Sequence, residues 1–470
     1  MEIGILVKEN NQTKKLIKPE RLFLMIALVA GLIFTVAQPL FIEPDSSYHF
    51  DKSSYLSNTV VDRSKIGFPA EDYQSAPLPF TTVTKMMKEG TYFKNFFETK
   101  LPVISKSKVA DKRALGTKWY KDIMHIIPAL EIKLGHMIYP SIGSMVLVAR
   151  LFNLIFFSIS MYFIIKKLKA YQMIFTIISV TPIAIQFATS LSYDCYNYVA
   201  FAWLSATLIN LAVELKENKP ILLKDFFLRI ILPSVALYFS KANSRLLYLL
   251  VLAVLVVIIS KKLKISLTKL QVLIGSGVLL ALGILLYIFK YHDQLRLVIS
   301  KFLYTFMEPY YSVLTTQVIS GTSTVAIPAW FYPIQYGALI LLFLSYTKEQ
   351  VPRWFAWLGL LINLINLFGV LFKFAIDPAF TEHVITGPQG RYFTVFILLL
   401  APSLTLLAQK VSVKTSGAWL RRIVLSVSVM ALVLNLSVTM LRSYHLQLPM
   451  DEYRSGICLL YTSPSPRDCS

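Results

Sequence analysis

The sequence has few charged residues and few cysteines. Only 16% of its 470 residues are Asp, Glu, Lys or Arg, whereas 55% are hydrophobic and the mean hydropathy is +0.59. A chain of this length with so little charge cannot cover a water-exposed surface, so the composition excludes a soluble globular protein. The three cysteines, Cys195, Cys458 and Cys469, exclude a framework of several disulfides.

Long apolar segments recur along most of the chain. A hydrocarbon core of about 30 Å takes about 20 apolar residues at 1.5 Å each, and helices satisfy the backbone groups for which lipid offers no partner. The sequence therefore predicts an all-α integral membrane protein with about eleven transmembrane helices. These spans are placed at residues 22–42, 142–165, 171–190, 197–213, 226–240, 246–260, 271–289, 331–346, 354–375, 392–409 and 423–441.

Lysine and arginine are concentrated in every second loop, which predicts the orientation. Basic loops stay on the cytoplasmic side, so the N-terminus is predicted to be cytoplasmic and the C-terminal tail external. This topology explains much of the net charge of +21, and no fold signature of nucleic-acid binding accompanies it. The basic residues are Lys8, Lys14, Lys15, Lys18 and Arg21; Lys166, Lys167 and Lys169; Lys216, Lys219 and Lys224; Lys261, Lys262 and Lys264; Lys348 and Arg353; and Lys410, Lys414, Arg421 and Arg422.

The spans and loops divide the chain into consecutive regions. The largest early loop follows the first span, and it contains segments with mixed basic and aromatic residues that predict interfacial helices. The residues from Cys458 onward resemble a translated sequencing-adapter fragment, so the native chain is expected to be interrupted near Gly456. The predicted regions are a cytoplasmic segment 1–21, the first span 22–42, the external loop 43–141, a multi-helix membrane domain 142–441, an external tail 442–457 and the adapter-like segment 458–470.

Polar residues at the ends of several spans map to the external side of this topology. Ionisable groups at a membrane boundary are costly and are usually functional or paired, so their convergence predicts one externally facing polar pocket. The candidates are Asp45 and His49 after the first span, Asp194 and Asn197 before the fourth, Lys241 and Arg245 between the fifth and sixth, and Gln389 and Arg391 before the tenth.

Each candidate also has a structural explanation. Asp45 and Asp194 could cap the helices that follow them. Lys241 and Arg245 could extend along the helix surface to the membrane interface. The histidines at 125, 136 and 383 have no zinc-ligand spacing and are interpreted as structural.

Several short motifs are spread over nearly the whole chain. They are Pro44-Asp45 with His49-Phe50, Arg150-Leu-Phe-Asn153, Ser192-Tyr193-Asp194, Lys241, and Gly387-Pro-Gln-Gly-Arg-Tyr-Phe393. As a set they resemble a bacterial multi-pass membrane family, domain of unknown function 2142. Its members carry an acidic Pro-Asp motif with a following His-Phe after the first helix, and Ser46 here replaces the Glu that usually follows the Asp.

That family is similar in architecture to the GT-C class of integral membrane glycosyltransferases. The resemblance implies transfer of a sugar from a polyprenyl-phosphate-linked donor to a cell-envelope acceptor on the external face of the bacterial cell membrane. Asp45 would be the general base or a metal ligand, and Asp194 a second carboxylate that orients the acceptor or completes an Mg²⁺ or Mn²⁺ site. The residues expected to bind substrate, with the cations neutralising phosphate, are His49, Asn197, Lys241, Arg245, Gln389 and Arg391.

Two other classes of function stay open at this point. A transporter or flippase of lipid-linked saccharide would need charged residues near the bilayer midplane and an internal repeat, neither of which is evident in the sequence. A non-catalytic assembly protein for envelope polysaccharide would tolerate the loss of Asp45. The position of the largest loop, early in the chain, argues against a polymerase or ligase of the O-antigen type.

Overall fold

The structure is a computed structural model in which every regular segment of the described residues is helical, apart from one isolated bridge between Val61 and Val103. This confirms the all-α class. The predicted span 271–289 and the adapter-like segment lie outside the described residues. The structure describes residues 17–43, 45–66, 80–106, 123–264, 294–307, 318–321, 327–346, 348–377, 383–385, 387–408 and 417–446.

The described chain folds into a bundle of long helices, with shorter helices gathered in the loop that follows the first one. Short 3-10 and π-helical turns connect several of them. In chain order the α-helices are α1 (Pro19–Ala37), α2 (Ser46–Leu56), α3 (Phe80–Lys88), α4 (Ile123–Ile138), α5 (Ile142–Lys167), α6 (Gln172–Ser179), α7 (Pro182–Ala188), α8 (Asp194–Lys216), α9 (Leu223–Tyr238), α10 (Tyr248–Lys262), α11 (Leu295–Met307), α12 (Tyr332–Leu344), α13 (Arg353–Ala375), α14 (Ile397–Ala408) and α15 (Gly417–Met440).

Six helical segments of the described chain are long and apolar enough to cross a membrane. They include α1, α5, α8 and α13, together with the segments Ala242–Lys262 and Ala418–Tyr444. Two further apolar helical segments, Ala329–Leu344 and Thr394–Leu406, are shorter. A multi-pass membrane protein is therefore well supported, whereas the count of about eleven spans is not confirmed.

The predicted span 171–190 is not one continuous helix. It forms α6 and α7, which are separated at Val180 and Thr181. Thr181 is extended, with φ −65° and ψ 153°, because the ring of Pro182 disfavours the helical conformation of the residue before it. Pro182 itself occupies the first turn of α7, where a missing amide hydrogen costs nothing.

Helix α8 is the most enclosed of the candidate spans, with 83% of its apolar window buried. Its side chains belong to the main hydrophobic core, which it shares with α1, α5, α6 and α7. One contact in this core joins the rings of Phe157 and Tyr198, whose centroids are 5.5 Å apart. Burial on most sides fixes the position of the first residue of α8, Asp194.

A second hydrophobic core attaches the first loop to the bundle. Leu40, Phe41 and Phe50 from the loop pack with Ile142 and Met145 at the beginning of α5. The rings of Phe41 and Phe50 meet edge to face at 5.5 Å. Because Asp45 lies between these two phenylalanines in sequence, this core holds it against one end of the bundle, called the site end below.

Candidate functional site

Four of the sequence-predicted residues meet at the site end of the bundle. Asp45 immediately precedes α2, and Asp194 is the first residue of α8. Lys241 precedes the 3-10 segment Ala242–Leu247, and Arg391 lies in the 3-10 turn Gly390–Tyr392. Residues almost 350 positions apart therefore form one group, called the ionic cluster below.

The ionic cluster is a continuous chain of charge-assisted hydrogen bonds. Arg391 Nη2 donates to Asp45 Oδ2 at 2.5 Å, and Arg391 Nη1 donates to Asp194 Oδ2 at 3.1 Å. Lys241 forms an ion pair with the other oxygen of Asp194. Ser192 Oγ donates to Asp194 Oδ2 at 2.9 Å. One carboxylate thus holds both cations, and the planar guanidinium bridges two carboxylates, a geometry that suits arginine.

Burial differs sharply within the ionic cluster. The side chains of Asp194, Arg391 and Lys241 are 3%, 6% and 10% exposed, whereas that of Asp45 is 58% exposed. Asp45 is therefore the member of the cluster that solvent or a ligand reaches first, and the other three form a closed layer beneath it.

Helix capping does not explain Asp45. It occupies the N-cap position of α2 but makes no side-chain capping hydrogen bond, and its carboxylate contacts Arg391 instead. Its backbone is left-handed, with φ 59°, a conformation that aspartate adopts more readily than most residues. The proposal that its side chain caps α2 is therefore wrong, whereas its left-handed backbone fits the alternative that it shapes the turn before α2.

Aromatic rings surround the two cations. Lys241 Nζ lies 5.4 Å from the ring centroid of Tyr193 and 5.0 Å from that of Tyr392, and the Arg391 guanidinium lies 5.7 Å from the Tyr392 ring. Burial lowers the pKa of Lys241, and the Asp194 carboxylate opposes this effect. For Arg391 burial acts in the same direction, but Asp194 and Asp45 outweigh it and raise the pKa above its ordinary value.

The turn that carries Arg391 begins at Gly387, whose φ of +94° lies in the region that favours glycine. Gln389 is half-buried beside this turn, where its carbonyl accepts a hydrogen bond from the Tyr392 amide at 3.0 Å. This local bond shapes the turn, and Arg391 then reaches the two carboxylates.

The other predicted binding residues have different positions. Asn197 Oδ1 accepts hydrogen bonds from Ser244 Oγ at 2.7 Å and from the Lys241 amide at 3.4 Å, so this side chain positions the segment that carries Lys241. Arg245 lies outside the ionic cluster. Its Nε donates to the Tyr238 carbonyl at 3.1 Å, and the side chain covers the Tyr238 ring at 4.8 Å.

A comparison with protein families shows to which family the chain belongs. The model of a family described as predicted membrane protein (DUF2142) matches residues 28–400. The chain belongs to this family. Comparisons with curated proteins and with solved structures find no match. All four residues of the ionic cluster lie inside the range that matches the DUF2142 family.

A buried histidine pair lies beside the ionic cluster of this DUF2142 protein, and sequence reasoning missed one member of it. His49 Nδ1 and His125 Nε2 are 2.9 Å apart, and the rings of His49 and Tyr193 meet edge to face with their centroids 5.0 Å apart. His125 was interpreted as structural because it has no zinc spacing. Its location, close to the re-entry of the chain into the bundle at the site end, is the signal that could have identified it.

The environment of His49 predicts that the stability of the DUF2142 protein depends on pH. Burial and the neighbouring His125 lower the pKa of His49 well below 6.5. The unfolded chain then binds more protons than the folded protein below about pH 6.5, so stability falls on acidification. We expect His49→Gln to lose less stability than the wild type between about pH 6.5 and 5, measured as the thermal midpoint in detergent. His136→Gln is the control, and an unchanged acid loss in His49→Gln would contradict the assignment.

The Arg150-Leu-Phe-Asn153 motif of the DUF2142 protein holds in place the two segments that carry Asp45 and Asp194. Buried Arg150 donates to the Gln38 and Pro39 carbonyls at 2.8 and 2.9 Å and to Glu43 Oε1 at 2.6 Å. These bonds satisfy carbonyls at and just beyond the end of α1 and hold the segment that leads to Asp45.

Asn153 holds the segment that leads into α8 in place by hydrogen bonds. Its Nδ2 donates to the Ser190 carbonyl at 2.7 Å, and its Oδ1 accepts from the Tyr196 hydroxyl at 2.7 Å. Arg150 and Asn153 lie three residues apart on one face of α5. One helix face therefore orients both carboxylate-bearing segments of the cluster.

The residues that were expected to bind Mg²⁺ or Mn²⁺ are arranged around cationic side chains. Among the described residues, no three His, Cys, Asp or Glu side chains form a group that could hold a metal ion. Both oxygens of Asp194 contact cationic side chains, and Asp45 is held by the same guanidinium. Since divalent ions need several available oxygen ligands, these residues do not fit a resident divalent cation.

Proposed function

We propose that this DUF2142 protein is a membrane glycosyltransferase of the GT-C type. It would move a sugar from a polyprenyl-phosphate-linked donor to a cell-envelope acceptor on the external face of the membrane. The observation that carries the proposal is the ionic cluster: an exposed carboxylate, Asp45, stands above two buried cations, Lys241 and Arg391, at one end of a membrane bundle.

The two kinds of group suit the two halves of a glycosyl transfer. Asp45 would accept the proton of the acceptor hydroxyl as that oxygen forms its bond to the anomeric carbon. The bond from the anomeric carbon to the phosphate oxygen breaks, and its electron pair leaves with the polyprenyl phosphate. Lys241 and Arg391 would neutralise the charge that develops on this leaving phosphate.

Asp194 has a role that differs from the one inferred for it from the sequence. Its carboxylate is enclosed by Lys241, Arg391 and Ser192, so it is not available to orient an acceptor. We assign it as a positioning residue that holds both cations in place. Asp45 then acts as the sole base, which fits a chain in which Ser46 replaces the usual neighbouring Glu.

The distribution of positive charge supports an external location for the site. Lys169 and Arg229 pair with Glu214, and Lys216 pairs with Glu349, at the end of the bundle opposite the ionic cluster. Basic residues collect on the cytoplasmic side of membrane proteins, which would place the site end outside. The proposed GT-C class of enzymes uses polyprenyl-linked sugars on that side.

A transporter of lipid-linked saccharide is the second candidate, and the position of the cluster argues against it. Transporters usually bind substrate near the bilayer midplane between broken helices. Here Asp194 begins its helix and Lys241 lies between two helices, so the cluster sits at the end of the bundle.

Replacing Arg391 by Lys tests the proposed role of the guanidinium. Lysine keeps the charge but cannot bridge Asp45 and Asp194 together. A lost charge-assisted hydrogen bond costs about 1.5–3 kcal/mol, so we expect transfer in membrane vesicles to fall about 10- to 100-fold. Arg245→Lys is the matched control at the same end of the bundle and should retain activity. Equal rates for both variants would contradict the assignment.

A further inference from the structure

A long groove lies along the outside of α8, between α5 and α9. Its volume is about 900 Å³. The floor is one face of α8, on which Ala200, Trp203 and Thr207 follow one another at helical spacing. The hydroxyl of Thr207 donates to the Trp203 carbonyl at 2.9 Å, so this polar atom is satisfied within the helix. The middle of the groove is therefore suited to a hydrocarbon chain.

The end of the groove opposite the ionic cluster is lined by charged side chains. Lys167 at the end of α5 and Lys169 just after it line the groove there, as do Glu214 from α8 and Arg229 from α9. Three positive charges and one negative charge leave this part of the lining, called the cationic end below, with a net charge of +2. Charged and apolar side chains thus line the same cavity, an arrangement that suits an amphipathic ligand.

Hydrogen bonds hold the cationic end in shape. The Glu214 side chain is 9% exposed and accepts from Lys169 Nζ at 2.6 Å and from Arg229 Nη1 at 2.8 Å. Asn210, one turn earlier on α8, accepts from the Lys169 amide at 2.7 Å and donates to the Lys167 carbonyl at 3.0 Å. Three helices are therefore joined around one buried carboxylate.

Two of the cations have donors that face no protein acceptor. Within the described residues, the Lys167 ammonium has no hydrogen-bond or ion-pair partner. Arg229 contacts Glu214 through Nη1 alone, and no other described residue accepts from its Nε or Nη2. Its side chain is 44% exposed. The Nε and Nη2 edge of a guanidinium binds two oxygens of one phosphate, so this edge indicates an anionic headgroup.

The wall of the groove formed by α9 is open toward the surrounding lipid. Leu228 and Leu232 line the groove and are also highly exposed on the outer surface. Leu228 directly precedes Arg229 of the cationic end. A lipid can therefore enter sideways, with its chain passing these leucines and its headgroup staying at the end of the bundle.

We infer that the groove binds an anionic diacyl phospholipid, with its phosphate at Lys167 and Arg229 and an acyl chain along Trp203. The positive cationic end selects this class, because a zwitterionic headgroup would bring a further cation beside Lys167 and Lys169. Trp203 lies eleven residues before Glu214, which is about 17 Å at 1.5 Å per residue and close to half of a hydrocarbon core of about 30 Å. The site therefore fits a lipid of one leaflet, and it does not depend on the proposed function.

The test compares two headgroups on the same acyl chains. The whole chain, purified in detergent and stripped of lipid, is titrated with phosphatidylglycerol and with phosphatidylcholine, and bound lipid is counted by native mass spectrometry. We expect phosphatidylglycerol to bind at least tenfold more tightly. The double variant Lys167→Gln with Arg229→Gln should lose most of this preference, because each basic residue near a membrane surface contributes about fivefold. Lys166→Gln is the matched control, since Lys166 carries the same charge at the next position but lies outside the lining.

Fluorescence of Trp203 locates the acyl chain. In phosphatidylcholine nanodiscs with a small fraction of phosphatidylglycerol that carries brominated chains, we expect a quenched component that is lost in Trp203→Phe. Trp357→Phe is the control, because Trp357 is 59% exposed on α13 and meets bulk lipid. Its fluorescence should be quenched only in proportion to the fraction of brominated lipid.

Three results would overturn the inference. Equal affinities for the two headgroups, or an unchanged preference in the double variant, would show that the groove only contacts bulk lipid. Tighter binding of a long-chain polyprenyl phosphate than of phosphatidylglycerol would assign the groove to a different lipid. If the double variant does not fold, the fluorescence of the wild type and of Trp203→Phe decides the question, since the absence of a Trp203 component contradicts the site.

Discussion

Replacing Asp45 by Asn is expected to abolish sugar transfer while the protein still folds. The Asp45 side chain is exposed and is nearly the same size as Asn, and Arg391 keeps its second partner, Asp194, so the protein should still fold. The variant lacks the carboxylate that the proposed mechanism uses as its base, and loss of general-base catalysis costs about 10²- to 10⁴-fold. In the native host, envelope glycans should be lost and the lipid-linked donor should accumulate, as measured by glycan analysis and mass spectrometry of extracted lipids.

Glu89→Gln is the matched control for this result. Glu89 lies in the same loop, is exposed, and has a cationic partner, Lys85, at 3.8 Å. It should leave glycans and lipid-linked sugars unchanged, because an exposed ion pair of this kind contributes about 0–1 kcal/mol. Normal glycans in a folded Asp45→Asn protein would show that Asp45 is not the base and would favour a non-catalytic assembly role.

Replacing Asp194 by Asn is expected to have the largest effect on stability. The change leaves Lys241 without its carboxylate partner in a buried layer and removes one partner of Arg391. Breaking a buried ion pair by removing one side costs about 3–5 kcal/mol, because the remaining charge stays buried and unpaired. The purified variant should have a strongly lowered thermal midpoint in detergent or fail to accumulate in the membrane.

A second substitution separates this electrostatic cause from a loss of packing. The double variant Asp194→Asn with Lys241→Met removes the unpaired charge and should recover much of the lost stability, but not the activity. Glu349→Gln is the control, because Glu349 also pairs with two cations, Lys216 and Arg353, but at a more exposed surface. A folded Asp194→Asn protein as stable as the wild type would contradict the assignment of Asp194 as the centre of the cluster.

Much of the candidate site could be predicted from residue types and alternation of charge. The basic loops indicate which helix ends lie on the same side, and that alone brings Asp45, Asp194, Lys241 and Arg391 to one end of the bundle. Loop charge could not distinguish Arg245 from these four residues, because Arg245 lies only four positions after Lys241. The side of the membrane on which a loop lies follows from the summed charge of the loops. The formation of an ion pair depends on the direction in which each side chain leaves its turn.

Other features depend on contacts that no local pattern carries. His125 was interpreted as structural because no Cys or His stands at zinc-ligand spacing from it, whereas its partner in the structure is His49, 76 positions away. The break between α6 and α7 was missed for the opposite reason: Pro182 lies inside a segment so apolar that hydropathy alone reads it as continuous. Pro182 is a local signal of the break, which the average hydropathy of the segment conceals.

The sequence by itself determined that this protein is an all-helical, multi-pass membrane protein of the DUF2142 family with its chemistry-bearing polar residues at one end of the bundle. Those conclusions follow from apolar length, loop charge and short motifs, which act locally along the chain. Only the tertiary structure decided that Arg391 bridges Asp45 and Asp194 and that Asp194 is enclosed. These features arise from helix packing, because the direction and burial of a side chain depend on neighbours that are distant in sequence.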